Sequence, residues 1–198
     1  MDLILASNNK DKLREVREVM CPLGYSVISQ SEAGIHLEAD ENGTTFAENS
    51  LIKAKAIYDI THKAVIADDS GLCVDALDGE PGVYSARYGG EEVDDIGRCY
   101  LVIDRLNGVE DEKRTARFVA VITYIDEQGE VKQFEGRIEG RIGYERVGEN
   151  GFGYDPIFMV GDRSLAQFSP DEKNAVSHRG NALRELEAYI LSKNKEVQ

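Results

Sequence analysis

Two adjacent carboxylates are the first feature of the sequence that could carry chemistry. Asp68-Asp69-Ser70-Gly71 follows Ala64 to Ala67, an apolar run typical of a short buried strand. Two like charges side by side are costly unless a cation or hydrogen bonds hold them. Because successive strand side chains point to opposite faces, we expect one carboxylate to ligate a metal and its neighbour to support it. Hard oxygen ligands favour Mg²⁺, although a polar turn with an aspartate cap is the plainer interpretation.

A second polar segment, Ser7-Asn8-Asn9-Lys10-Asp11-Lys12, joins the first predicted strand to the first predicted helix. Backbone N–H groups at a helix N-terminus attract anions. The two lysines add positive charge, and Ser7 and Asn9 can donate hydrogen bonds. The segment is therefore a candidate cradle for a triphosphate, or else an ordinary capped helix start with two solvated lysines.

The acidic loop Glu38-Ala39-Asp40-Glu41-Asn42-Gly43 precedes a capping box, Thr45-x-x-Glu48, that predicts the start of a longer helix. The loop partly imitates a calcium-binding loop, but Asn49 stands where the bidentate glutamate is required, so an EF-hand is not expected. One acidic residue of the loop is a candidate second ligand of the same Mg²⁺. Glu48 is more simply the capping partner of Thr45.

Two further segments combine aromatic rings with hydrogen-bond donors. Gly151-Phe152-Gly153-Tyr154-Asp155-Pro156 is a glycine-rich loop, and Ser177-His178-Arg179-Gly180 begins the last predicted helix. Aromatic rings can stack on a base, and histidine and arginine can donate to carbonyl or phosphate oxygens. Taken alone, Phe152 and Tyr154 are more often packing residues, and a lone His178 is more often structural. Together with the cradle and the carboxylate pair, they indicate a nucleotide site.

Strands and helices alternate along the chain, which indicates a mixed α/β fold with a central sheet and flanking helices. In the helix that begins at Thr45, we expect Ala47, Leu51, Ala54 and Tyr58 to share the buried face. With no repeat or linker in the sequence, a single domain over residues 1–198 is predicted. Strands are predicted at 3–6, 25–29, 64–67, 72–74, 116–125, 131–142 and 156–160, and helices at 11–20, from 45, at 94–106 and at 180–193. Gln128-Gly129 predicts a turn between the strands 116–125 and 131–142. In the first helix, the spacing predicts one apolar face, made of Leu13, Val16, Val19 and Met20.

The chain is strongly acidic, with 198 residues, a net charge of -14 and a pI of about 4.7. Such a chain repels nucleic acid and lacks a polybasic segment for an anionic membrane. The three cysteines form no metal or disulfide pattern and are expected to be reduced thiols. With no signal-like segment and no apolar run of about 20 residues, a cytoplasmic protein is expected.

Five blocks occur in order over nearly the whole chain: LASNNKDK, TFAENSLIKA, IADDSGLCVDALDGEPGVYSARY, GFGYDPIF and EKNAVSHRGNAL. Through these blocks the chain resembles the inosine triphosphate pyrophosphatase family, also called XTP/dITP diphosphatases. The resemblance implies an elongated mixed sheet in two lobes around a nucleotide cleft, and a homodimer. It also implies hydrolysis of ITP, dITP and XTP between the α- and β-phosphates, giving the monophosphate and pyrophosphate. Such an enzyme removes deaminated purines from the nucleotide pool.

The resemblance further implies roles for single residues. Asp69 would be the general base and an Mg²⁺ ligand, with Asp68 beside it. Glu41, whose spacing to Gly43 is better than that of Asp40, would be the second ligand. Phe152 would stack on the base, and His178 and Arg179 would lie near the purine's 6-oxygen. The implied substrate contacts are Ser7, Asn8, Asn9, Lys10, Asp11, Lys12, Lys53, Ser70, Phe152, Gly153, Tyr154, Asp155, Lys173, His178 and Arg179.

Three other functions stay open on the sequence alone. One is a related pyrophosphatase with a different base preference, such as for modified pyrimidines. Another is a phosphatase with an aspartyl nucleophile, although that chemistry commonly uses a DxD arrangement and the aspartates here are adjacent. The third is a nucleotide sensor that binds without turnover.

Overall fold

The structure, a computed structural model, describes the backbone of residues 1–196 and the side chains of residues 1–193. Residues 197 and 198 of the predicted single domain lie outside the described residues. The helices are α1 (Lys10–Met20), α2 (Phe46–Thr61), α3 (Asp95–Arg105), α4 (Pro170–Val176) and α5 (His178–Glu196). The strands are β1 (Asp2–Leu5), β2 (Ser26–Ser29), β3 (Val65–Val74), β4 (Thr115–Ile125), β5 (Val131–Ile142), β6 (Phe158–Val160) and β7 (Arg163–Ser164).

The described strands form one mixed, seven-stranded sheet in the order β2-β1-β3-β4-β5-β6-β7, flanked by helices as predicted. β1 runs parallel to β2 and to β3, while β6 is antiparallel to β5 and β7. The turn predicted between β4 and β5 is confirmed: Gly129 has a φ of 84° and donates its N–H to the Asp126 carbonyl at 3.0 Å. Among the described helices, none is long and apolar enough to cross a membrane.

Contacts between Cα atoms divide the chain into two compact units. The first unit comprises residues 1–69, 120–136 and the chain from 179 onward. Successive side chains of β1 serve its two faces: Leu3 and Leu5 pack in one apolar cluster with Leu186, and Ile4 packs in another with Ile57. In this unit the sheet is therefore covered on both faces, which explains why Leu3, Ile4 and Leu5 of β1 are all apolar.

The second unit comprises residues 70–119 and 137–178 and has one apolar core. Within it, Arg114 is only 2% exposed. Its guanidinium donates to the carbonyls of Ile142, Leu106 and Gly143 at 2.9, 3.0 and 2.8 Å. Two of these bonds hold the end of β5, where the glycine-rich loop begins, and the third joins it to the residue that follows α3.

One prediction about the carboxylate pair is wrong. The sequence predicts a polar turn at 68–71 between two short strands, whereas β3 runs without interruption through Val65–Val74. Strand geometry persists because both aspartates have cationic partners, Lys12 for Asp68 and Lys53 for Asp69, so neither charge must turn out to solvent.

The buried face of α2 also differs from the prediction. Ala54 is buried as expected, but the other buried residues are Asn49, Ser50 and Ile57. The side-chain oxygens of the two polar residues have hydrogen-bond partners, which reduces the cost of burying them: Asn49 Oδ1 accepts the Gly43 N–H, and the Ser50 hydroxyl bonds to Thr123. A pattern of apolar spacing cannot foresee such partners. The capping box of Thr45 and Glu48 is confirmed.

Candidate active site

The segment before α1 is held by its own side chains. Asn9 caps the helix, its Oδ1 accepting the N–H groups of Asp11 and Lys12 at 2.9 and 3.0 Å. Ser7 Oγ accepts the Asn9 N–H at 3.2 Å, and the Lys10 side chain is exposed. The predicted cradle thus exists as a capped helix start, with its serine, asparagines and Lys10 at or near the surface.

Asn8 has a different task from its neighbours. Its Oδ1 accepts both the N–H and the hydroxyl of Ser31, at 3.1 and 2.6 Å. Asp11 pairs with Arg14 at 3.1 Å on the partly exposed surface of α1. In the structure, these two side chains contact other parts of the protein. The predicted substrate contacts of Asn8 and Asp11 stay predictions.

Lys12 joins a buried row of alternating charges in the first unit. Its Nζ lies 2.7 Å from Asp68 Oδ2. The same oxygen accepts Arg179 Nε at 3.1 Å, and Arg179 Nη1 lies 2.6 Å from Glu15 Oε2. Asp68, Glu15 and Arg179 are each at most 4% exposed. Cation, anion, cation and anion therefore follow one another, which is the arrangement buried charges need.

Lys53 joins a second pair of carboxylates in the same unit. Its Nζ lies 2.7 Å from Asp69 Oδ1 and 3.1 Å from Glu41 Oε2. We call the set Glu15, Glu41, Lys12, Lys53, Asp68, Asp69 and Arg179 the charged cluster. Of the two acidic residues considered as the second metal ligand, Glu41 is the one that reaches Lys53, and Asp40 is exposed.

The two adjacent aspartates are driven in opposite directions by their surroundings. Burial acts to raise the pKa of Asp68, but the Arg179 guanidinium and the Lys12 ammonium outweigh it and hold that pKa well below its usual range. Burial raises the pKa of Asp69, and the Lys53 ammonium only partly opposes this effect. Asp68 is thus a fixed anion, while Asp69 is the more basic of the two and suits proton transfer.

The charged cluster also suits a hard cation. Asp69 Oδ2 is buried and has no hydrogen-bond partner among the described residues. Asp69 and Glu41 converge on one ammonium, so a divalent ion could take the position between them. Within the described residues, no group of three or more His, Cys, Asp or Glu side chains is placed to hold a metal by itself. Two carboxylates fit Mg²⁺, which usually completes its octahedron with water and substrate phosphates.

Phe152 and Lys173 meet in the second unit, where Asp155 holds both. Asp155 Oδ2 accepts the Phe152 N–H at 2.9 Å and pairs with Lys173 Nζ at 2.5 Å. Lys173 Nζ in turn lies 4.5 Å from the centroid of the Phe152 ring. Gly151 leaves room for this turn, since a Cβ there would lie 2.0 Å from Asp155 Oδ2. A half-buried ring is therefore held beside a positive charge.

His178 stacks on Phe118, with ring centroids 4.8 Å apart and an interplanar angle of 12°. Phe118 packs in turn on Phe158 at 4.7 Å. We call Phe152, Asp155, Lys173, Phe118 and His178 the aromatic cluster; all five belong to the second unit. The stack fixes the plane of the imidazole, so its N–H groups can reach only acceptors that lie in that plane.

The remaining predicted residues of the second unit are Tyr154, Gly153 and Ser70. Tyr154 is buried and donates its hydroxyl to the Ser85 carbonyl at 2.8 Å, which marks it as a packing residue. The Gly153 carbonyl accepts the Cys99 thiol at 3.3 Å. Ser70, at the middle of β3, is half-buried. Contacts of these three residues with substrate stay predictions.

Comparison with known protein families shows to which family the chain belongs. A family model described as the Ham1 family matches residues 3–189. The chain belongs to the Ham1 family. A dITP/XTP pyrophosphatase of Bacillus subtilis is 47% identical over 191 residues, which cover 96% of each chain. One of Leptospira interrogans is 44% identical over 195 residues, covering 96% of this chain and 98% of the relative.

Solved structures of the Ham1 family share the fold. The Staphylococcus aureus Ham1 protein superposes with a TM-score of 0.89 at 40% identity and covers 98% of this chain and 100% of its own. A dITP/XTP pyrophosphatase of Mycobacterium abscessus gives 0.78 at 42% identity, covering 94% of this chain and 98% of its own. The mixed sheet with flanking helices is therefore a property of the family.

Two residues of this Ham1-family chain were missed by sequence reasoning. Glu15 is the buried partner of Arg179, and Phe118 carries His178. Glu15 stands next to Val16 within the apolar face predicted for α1, and a carboxylate there is the one signal that could have pointed to a buried cation. Phe118 lies in an apolar strand and looks like any other core residue.

Proposed function

We propose that this Ham1-family chain hydrolyses non-canonical purine nucleoside triphosphates (ITP, dITP and XTP) to the monophosphate and pyrophosphate. The observation that carries the proposal is the bridge of Lys53 between Asp69 and Glu41, next to the ion pair of Lys12 with the buried Asp68. The relatives from B. subtilis and L. interrogans are named dITP/XTP pyrophosphatases. A site for a polyanion and a metal is what their reaction requires.

The charged cluster is proposed to bind the triphosphate together with Mg²⁺. Glu41 and Asp69 would hold the ion, which neutralises phosphate charge when bound. The carboxylates would then no longer need Lys53, whose ammonium could turn to the phosphates. Lys12 and Lys53 would stabilise the charge that leaves with pyrophosphate.

Asp69 is proposed as the general base. Burial gives it the higher pKa of the two aspartates, and its Oδ2 has no hydrogen-bond partner among the described residues. That oxygen would take the proton of the water that attacks the α-phosphorus. Asp68 would not take part in proton transfer, because Lys12 and Arg179 hold it as an anion. It would instead position these two cations.

The aromatic cluster is proposed to bind the base. Phe152 would stack on the purine, and His178 would donate in its plane to the 6-oxygen. Adenine presents an amino group there, which would leave the donor unpaired at a cost of about 1–3 kcal/mol. Arg179 acts first as the counter-ion of Asp68 and Glu15, and its contact with the 6-oxygen stays a prediction.

A substrate panel tests the proposal. ITP, dITP, XTP, GTP and ATP are incubated with the protein, with and without Mg²⁺, and the products are separated. We expect fast, Mg²⁺-dependent release of monophosphate and pyrophosphate from the first three. Orthophosphate release would favour an aspartyl phosphatase, and binding without turnover would favour a sensor. The homodimer and the cytoplasmic location are proposed on the resemblance, and light scattering tests the former.

A further inference from the structure

The side-chain amide of Asn49 has a hydrogen-bond partner for its oxygen but none, among the described residues, for its nitrogen. Asn49 lies in the first turns of α2 and is fully buried. Its Oδ1 accepts the N–H of Gly43 at 2.9 Å. Its Nδ2 is also buried, yet it has no hydrogen-bond partner among the described residues. Buried polar groups almost always have partners, so a buried amide donor without one calls for an acceptor.

The orientation of this amide follows from its partner. The Gly43 N–H is a donor and can only face the oxygen of the asparagine, which leaves the NH₂ group on the other side. The contact is tight, because a Cβ at Gly43 would lie 2.7 Å from Asn49 Oδ1. The oxygen therefore anchors the end of the loop that carries Glu41, two residues earlier in the chain.

The neighbours of Asn49 indicate which kind of acceptor the Nδ2 group would bind. Lys53 follows it by four residues, so the two side chains share one face of α2. Lys53 Nζ contacts both Asp69 and Glu41. Asn49 also lies near the N-terminal end of a 16-residue helix, where the backbone dipole favours an anion. The ammonium and the helix dipole therefore favour an anionic oxygen as the acceptor in this region.

We propose that Asn49 is a further triphosphate-binding residue of this chain. Its Oδ1 fixes the loop of Glu41, and its Nδ2 donates to a phosphate oxygen of the bound nucleotide. The inference rests on the proposed function, since that function brings a triphosphate to the charged cluster. A phosphate suits the donor because its oxygens only accept hydrogen bonds.

Two variants and two ligands test the inference by binding alone. The ligands are the α,β-methylene analogue of ITP, which cannot be cut between those phosphates, and inosine, which has no phosphate. The variants are Asn49→Ala and Asn49→Ser, the second for the case that the first does not fold. Lys55→Ala, at an exposed position of the same helix, is the control. Affinities are measured by calorimetry in Mg²⁺ and again in EDTA, and the exchange rate of the Gly43 amide is followed by NMR.

We expect each Asn49 variant to bind the analogue about tenfold more weakly in both Mg²⁺ and EDTA, with inosine affinity unchanged. Exchange at the Gly43 amide should accelerate, and Lys55→Ala should match wild type in every measurement. A loss that disappears in EDTA would overturn the phosphate contact, because anchoring the metal loop would then explain everything. An equal loss for inosine would overturn it as well. If wild type bound no analogue, the proposed function would fall, and this inference with it.

Discussion

Different interactions stabilise the charged cluster and the aromatic cluster internally. In the charged cluster, each ion is stabilised by its neighbours, as Asp68 is by Lys12 and Arg179. Removing one member leaves a buried charge without compensation. The buried row of Lys12, Asp68, Arg179 and Glu15 therefore needs all of its members.

In the aromatic cluster, positions are set by ring planes and by one carboxylate. Phe118 orients His178, and Asp155 holds Lys173 and the Phe152 backbone. Replacing one ring weakens a preference without stranding a charge. Chemistry and base choice can therefore be altered separately. Changes in the charged cluster should abolish turnover or folding, and changes in the aromatic cluster should alter affinity and selectivity.

Asp69→Asn should have the largest effect on turnover. Loss of the general base is expected to lower kcat about 10²–10⁴-fold, while the amide still fits the strand and the midpoint of thermal unfolding changes little. Steady-state kinetics with ITP and a melting curve measure both quantities. Turnover like that of wild type would remove Asp69 from the mechanism.

Glu15→Ala should have the largest effect on stability. It removes the partner of Arg179 Nη1 and leaves a guanidinium that is 2% exposed with one carboxylate fewer. Breaking a buried ion pair costs about 3–5 kcal/mol in free energy of unfolding. Urea titrations compare it with Glu18→Ala, at an exposed position of the same helix, which should stay within about 0.5 kcal/mol of wild type. Equal stability of the two variants would contradict the claim that the buried row needs all of its members.

Lys173→Met should weaken nucleotide binding and leave the chemistry nearly intact. The change keeps the length of the side chain but removes the charge beside the Phe152 ring and the cationic partner of the buried Asp155 carboxylate. Because a buried pair is broken, a loss of stability is expected as well, and the kinetics are measured at a temperature where the variant is folded. We expect KM for ITP to rise about tenfold with kcat within about threefold of wild type. A large fall in kcat at constant KM would place Lys173 with the catalytic groups instead.

Phe118→Leu should give the smallest effect, and a selective one. Loss of the stack under His178 is expected to reduce the ITP-to-ATP ratio of kcat/KM by about two- to tenfold, since aromatic pairs contribute about 0.5–1.5 kcal/mol. Phe134→Leu is the matched control, because Phe134 packs on Tyr189 in the first unit. Phe118→Leu should lose more stability than Phe134→Leu, because Phe118 is buried and Phe134 is half-buried. An altered ratio in Phe134→Leu, or an unchanged ratio in Phe118→Leu, would show that base choice does not depend on the stack.

The sequence predicted much of the fold because the elements carry local signals. The capping box at Thr45 placed the start of α2, and Gly129 placed the turn between β4 and β5. The turn expected at Asp68 and Asp69 was wrong because the cations that allow them to stay in a strand come from distant parts of the chain. Local patterns cannot report such partners.

The candidate site divides in the same way. Lys12, Asp69 and Phe152 were identified from motifs, since each lies in a block with a recognisable order. Glu15 and Phe118 act through contacts separated by many residues. The only local sign of Glu15 is a carboxylate beside the apolar face of α1, and nothing distinguishes Phe118 from other core phenylalanines. Long-range pairing is the part of the site that required the structure.

Hydrolysis in ¹⁸O-labelled water tests the proposed chemistry most directly. dITP is converted with Mg²⁺ in labelled water, and the two products are separated and weighed by mass spectrometry. If water activated by Asp69 attacks the α-phosphorus, one ¹⁸O atom should appear in dIMP and none in pyrophosphate. Label in pyrophosphate, or release of orthophosphate in its place, would contradict the proposed reaction.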